Sequence, residues 1–187
     1  LPRWRRESSA SLWKARRVMP SLDELNRSSQ ESAHSALLRC CGASRWVEQM
    51  LERRPWKSQS VIYSDADEIW GGMGREDILE AFTHHPRIGA DLDALRRKFA
   101  TTASWSGAEQ SGVSTANEEV LVALRDGNCA YEEKFGYIFI VCATGKSASE
   151  MLDILNRRLS HEPESELEIA AGEQAKITRI RLEKLLA

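Results

Sequence analysis

Residues 134–142 read KFGYIFIVC, and the meaning of this stretch decides the fold. β-Branched and aromatic side chains crowd it, so pattern alone makes it a strand. A strand needs neighbours to satisfy its main chain, and no other stretch of the sequence offers a convincing partner for it. The segment is therefore either a buried extended passage or the apolar part of a helix.

On both sides, apolar residues recur every three or four positions. Residues 21–40 carry Leu22, Leu25, Ala33, Ala36 and Leu37, opened by Ser21 and Glu24 at capping-box spacing. After a break at Cys41 and Gly42, Ser44 can cap a helix bearing Trp46, Val47, Met50 and Leu51, which Pro55 stops. Residues 60–70 carry Val61, Ile62, Ala66, Ile69 and Trp70, and residues 75–83 carry Ile78, Leu79 and Phe82. Residues 114–134 make the longest candidate, able to bend at Gly127 and Asn128. Residues 147–159 and 166–186 close the chain, hinged near His161, Glu162 and Pro163. Prolines are absent between Pro86 and Pro163, which suits uninterrupted helices. The expectation is an all-α fold, a single-domain helical bundle of about eight helices over residues 19–187.

The 187 residues hold 26 Lys and Arg against 28 Asp and Glu, a formal net charge of −2. No chain-wide cationic field argues for nucleic acid or an anionic membrane as partner. The balance is uneven: residues 1–18 hold six bases and one acid, leaving 20 bases and 27 acids for the rest. Met19 follows at once, so residues 1–18 are expected to be an added or upstream-translated extension; their Arg- and Ser-rich composition also fits a transit peptide. Nucleic-acid binding would rest on this extension alone and ranks last. No apolar run approaches the roughly 18 residues of a membrane span. Cys40, Cys41, Cys129 and Cys142 form no CxxC pair and no Cys/His ladder, so reduced thiols in an intracellular protein are expected.

His85 precedes Pro86, which pushes it out of the α region and presents its imidazole at a helix-to-loop junction. There it can act as a general acid or base, or simply complement a helix dipole. His84 beside it reads as a dipole or surface residue, and His34 and His161 as solvated. Ser106, Glu109 and Gln110 put a hydroxyl, a carboxylate and an amide near a helix N-terminus, suited to a small polar ligand; the same letters also spell a capping box. Arg181 lies on the stripe of Ala170, Gln174, Ile177 and Leu185, where a guanidinium needs an internal carboxylate or a carboxylate ligand. Arg179 falls on another, exposed face. There is no GxGxxG, Walker loop or HExxH, and metal binding has no clustered ligands beyond His84 and His85, whose side chains point apart.

HHPRIG (84–89), SWSGAEQ (104–110), YEEKFGYIFIVCATGKSASEML (131–152) and ELEIAAGEQAKITRIRLEKL (166–185), joined by CCGASRWVEQM (40–50), resemble the 2-oxo-4-hydroxy-4-carboxy-5-ureidoimidazoline (OHCU) decarboxylases from about residue 31 to 186. The resemblance implies an all-α, cofactor-free, typically homodimeric carboxy-lyase that converts OHCU to (S)-allantoin in urate degradation. It maps the catalytic histidine onto His85, the carboxylate onto Glu109 and the substrate-binding arginine onto Arg181. It maps binding positions onto Pro86, Ser106, Gln110 and the backbone of Phe135, Gly136, Tyr137, Ile138, Phe139 and Ile140, making KFGYIFIVC an irregular pocket wall. Some family members are fused to a transthyretin-like hydroxyisourate hydrolase domain, whose Tyr-Arg-Gly-Ser signature does not occur here, so no hydroxyisourate hydrolysis is expected. Kinship implies a peroxisomal location, with the cytoplasm as the other reading. The competing function is a helical interaction module that binds a receptor kinase, in which Arg181 would be paired internally and the pocket occluded.

Overall fold

The computed structural model describes residues 21–87, 92–100 and 110–187, apart from the side chains of 94, 98–100 and 110–117. Among them the fold is all-α. The helices are α1 (Leu22–Arg27), α2 (Gln30–Cys40), α3 (Ser44–Glu52), α4 (Gln59–Gly71), α5 (Arg75–Thr83), α6 (Leu92–Ala100), α7 (Gln110–Phe135), α8 (Ala148–Arg158) and α9 (Pro163–Leu186).

Most boundaries follow local chemistry. Ser21 accepts from the Glu24 amide while Glu24 reaches back to the Ser21 amide, closing the expected capping box. Ser147 and Glu150 do the same for α8. The single helix expected over 21–40 is two. Ser28 ends α1 in an extended conformation and Ser29 restarts the chain by accepting from the Ser32 amide. Ser44 also departs from expectation: Ala43 is the N-cap of α3, and Ser44 spends its hydroxyl and amide on the Glu80 carboxylate, at 2.6 and 3.0 Å. That clasp ties α3 to α5. The sequence reading has no counterpart to α6, and α7 runs without interruption through Gly127 and Asn128. The glycine serves packing there, since a β-carbon at Gly127 would lie 2.7 Å from Leu155 of α8.

Two apolar cores result. One gathers Leu25, Leu37, Trp46, Val47, Met50 and Ile62 under α1–α5. The other gathers Phe82, Leu95, Leu124, Tyr131, Phe139 and Leu155 under α6–α8 and the stretch after α7. Trp46 is fully buried, and its indole N–H donates to the Ala66 carbonyl at 3.1 Å, so the polar tip loses nothing on burial. Its truncation to Ala would cost about 3–5 kcal/mol. α9, about 36 Å long at 1.5 Å per residue, serves both cores: Leu167 and Ala170 enter the second, Leu182, Leu185 and Leu186 the first. Trp70 of α4 donates to the Ala171 carbonyl at 3.0 Å and anchors the middle of α9.

KFGYIFIVC is neither strand nor helix beyond Phe135. Gly136, at φ +78°, turns the chain out of α7, a conformation that costs a glycine little. The extended segment that follows is held by side chains in place of a neighbouring strand. Arg158 donates to the Ile140 carbonyl at 2.7 Å, the Cys142 amide donates to Glu173 at 2.7 Å, and Lys146 donates to the Cys142 carbonyl at 2.8 Å.

Candidate functional site

α5 ends at Thr83, with His84 as its C-cap, and the amides of His84 and His85 still close 3.3 and 3.2 Å bonds to Ala81 and Phe82. His85 thus leaves the helix in a fixed direction. The His84 ring lies on Gly42, where a β-carbon would come within 2.4 Å of it. Gly42 is a positioning residue that the sequence reading treated only as a break; the glycine alone admits this close approach.

The His85 imidazole is half-buried and bonded on both nitrogens. Its Nε2 lies 2.6 Å from Oε1 of Gln174, and its Nδ1 lies 3.4 Å from Nη2 of Arg181. Gln174 is fully buried on α9, and its amide nitrogen donates to Thr178 Oγ1 at 3.0 Å. Arg181 reaches back across the bundle to the Arg39 and Cys40 carbonyls at the end of α2, at 3.4 and 3.3 Å. No carboxylate holds it among the described residues. Burial lowers the His85 pKa first and the Arg181 charge lowers it further, with His84 adding a little; the Gln174 bond pulls the other way. The ring is therefore neutral at neutral pH. Burial likewise pushes the Cys40 thiol up to about 12 and the Cys41 thiol up to about 11, which keeps both protonated beside the site.

His85 and Arg181 face a cavity of about 260 Å³ whose walls include Pro86, Phe139, Ile140, Ile177 and Lys184. Arg181 and Lys184 make its mouth cationic, which suits a small anion. Of the expected binding segment, Phe139 and Ile140 reach this wall. Phe135 and Tyr137 turn instead into an aromatic cluster with Tyr131, their rings 4.6 and 5.8 Å from it, and Gly136 makes the turn. Ile138 packs against the second core. Ser106 and Glu109 lie outside the described residues, as do residues 1–18. Gln110 is the first residue of α7, with its side chain outside them too.

Behind the wall, Glu166 is fully buried and Arg158 only 4% exposed. Arg158 donates through Nε to Glu166 Oε1 at 2.7 Å, and Tyr131 donates its hydroxyl to the same oxygen. His161 contacts Oε2 at 2.8 Å. This corrects the expectation for His161, which is half-buried against a carboxylate and not simply solvated. The sequence pattern does not reveal it, because the partner sits five residues on, across the hinge. Arg179 stays partly exposed, its guanidinium 4.2 Å from the Tyr63 ring centre.

Residues 26–183 match the family described as OHCU decarboxylase. The chain belongs to the OHCU decarboxylase family. It is 41% identical over 150 residues to the uric acid degradation bifunctional protein TTL of Arabidopsis thaliana, an alignment covering 79% of this chain and 45% of that protein. To the 2-oxo-4-hydroxy-4-carboxy-5-ureidoimidazoline decarboxylase of Mus musculus it is 34% identical over 114 residues, covering 60% of this chain and 61% of that one. The chain thus matches less than two thirds of the length of either relative. An OHCU decarboxylase structure determined in the presence of (S)-allantoin aligns with a TM-score of 0.66 and 34% identity over 85% of this chain and 99% of that one. On this OHCU decarboxylase fold, an imidazole whose proton affinity burial lowers meets, at one cavity, a guanidinium that has no carboxylate partner among the described residues. Gln174 is the residue that sequence reasoning placed on the right stripe and left without a role. An uncharged but strongly polar side chain among core positions is the signal that could have marked it.

Proposed function

We propose that the chain decarboxylates OHCU to (S)-allantoin without a cofactor, in urate degradation. The observation that carries this reading is the pairing of neutral His85 with Arg181 at a cationic cavity, in a chain of this family. The reaction breaks the bond between ring carbon 4 and its carboxylate. The released electron pair forms a carbon 4–carbon 5 double bond as the ring C=N pair moves onto nitrogen, which takes a proton. The resulting enol then loses its hydroxyl proton and gains one on carbon 5, from one face only. His85 relays these protons, Glu109 orients the substrate hydroxyl or sets the protonation of His85, and Arg181 grips the carboxylate or the ureido carbonyl as a planar fork. Pro86, Phe139 and Ile140 shape the pocket wall, and kinship assigns further substrate contacts to Ser106 and Gln110.

Assembly as a homodimer and a peroxisomal or cytoplasmic location belong to this reading by kinship; sedimentation and localisation of the tagged chain test them. The open cavity and an Arg181 with no described carboxylate partner favour the enzyme over a kinase-binding module. The direct test is circular dichroism on OHCU freshly generated by urate oxidase and hydroxyisourate hydrolase. Adding the protein should speed the appearance of optically active allantoin. Allantoin that forms no faster than without the protein, or is racemic, rejects the reading.

A further inference from the structure

His85 has two ring nitrogens, and the structure surrounds them very differently. Nε2 points into the protein, 2.6 Å from Gln174, and Nδ1 points towards Arg181 beside the cavity. Gln174 cannot choose its orientation freely. Its Nε2 donates to Thr178 Oγ1 at 3.0 Å. With that nitrogen turned to Thr178, Gln174 presents its carbonyl oxygen to the imidazole. An oxygen at 2.6 Å demands a hydrogen on the ring nitrogen. Arg181 has only donors, so it demands a lone pair on the other.

We propose that Thr178 and Gln174 are positioning residues that hold His85 as its Nε2–H tautomer, leaving Nδ1 as the nitrogen that exchanges protons with the bound substrate. The assignment rests on the decarboxylase reading for what the histidine does, and on geometry alone for which nitrogen does it. A wrong tautomer would present an N–H where a proton acceptor is needed, so the effect falls on turnover more than on binding. Among the described residues, the charged and titratable groups that act on the ring are Arg181 from α9 and His84 from the end of α5; Lys184 lines the same cavity, and the Cys40 and Cys41 thiols lie near Arg181 at the end of α2.

The test pairs nitrogen NMR of the imidazoles, with His85 assigned by difference from a His85→Asn sample, with steady-state kinetics. The ligand-free wild-type chain should show a protonated Nε2 and a bare Nδ1. Gln174→Met should admit the Nδ1–H form and lower kcat roughly 10- to 100-fold at nearly unchanged KM. Gln174→Glu keeps the acceptor and adds a charge, so it should raise the His85 pKa and carry the acid limb of the kcat profile upward with it. Thr178→Val should reproduce part of the Gln174→Met loss, and Thr178→Ser should restore it. A wild-type ring protonated on Nδ1, or a Gln174→Glu chain whose His85 titration stays in place, overturns the proposal. The spectra need no substrate, so they decide the tautomer even if the chain proves inactive on OHCU.

Discussion

Near the start of α9, Glu166 lies fully buried among Arg158, Tyr131 and His161. Eight residues on, Gln174 is buried as deeply, but it touches a histidine whose other nitrogen faces a cavity. The first cluster is closed: cation and carboxylate meet inside the protein, and Arg158 also donates through Nη1 to the Ile140 carbonyl and through Nη2 to the Tyr131 hydroxyl. The second is open. Among the described residues Arg181 is held by two long bonds to carbonyls and one to His85, which leave much of its donor capacity over. A polar group whose needs are met internally holds structure, and one left partly unmet is available to a ligand.

Breaking each cluster should therefore fail differently. His85→Asn should cost about 10²–10⁴ in kcat, the usual share of a general acid or base, with little change in Tm. A folded variant that keeps full activity would remove His85 from the chemistry. Glu166→Gln leaves Arg158 buried without its counter-charge and should cost about 3–5 kcal/mol of stability, read by urea denaturation. A near-neutral result there would mean that the closed cluster is not holding α8 to α9. Arg181→Lys keeps the charge and loses the fork; KM should rise about tenfold, with kcat changed less.

The smallest effect concerns pH. Unfolded His85 takes a proton near the ordinary imidazole value of about 6.5, whereas the folded chain resists it to lower pH. Between those values the unfolded state holds more protons. This contribution to stability is whole above the window and is lost as pH falls through it. His85→Asn should therefore flatten the decline of Tm below about pH 6.5, and an unchanged slope would contradict the burial of the ring.

The same contrast explains what the sequence makes legible. Helical spacing marks α3, α4, α5, α8 and α9, because each buries one face of a regular repeat. Arg181 stands out because its charge breaks that repeat. Arg158 does not, since a basic residue in the last turn of a helix reads as a complement to the helix dipole, and only tertiary contacts bury it. Ser28 and Ser29 split α1 from α2 by side-chain and backbone geometry that an apolar stripe cannot register. KFGYIFIVC has the letters of a strand because extended backbone favours such side chains whatever holds its amides. In this chain the holders are Arg158, Glu173 and Lys146, which lie outside the segment.

That arrangement separates the shape of the pocket wall from its spelling. The three straps grasp main-chain atoms of Ile140 and Cys142, which every amino acid except proline supplies in full. Side chains along the wall can therefore be exchanged for others of similar bulk without releasing the path of the backbone. Selection or an engineer can retune what the cavity accepts there while the scaffold stays in place.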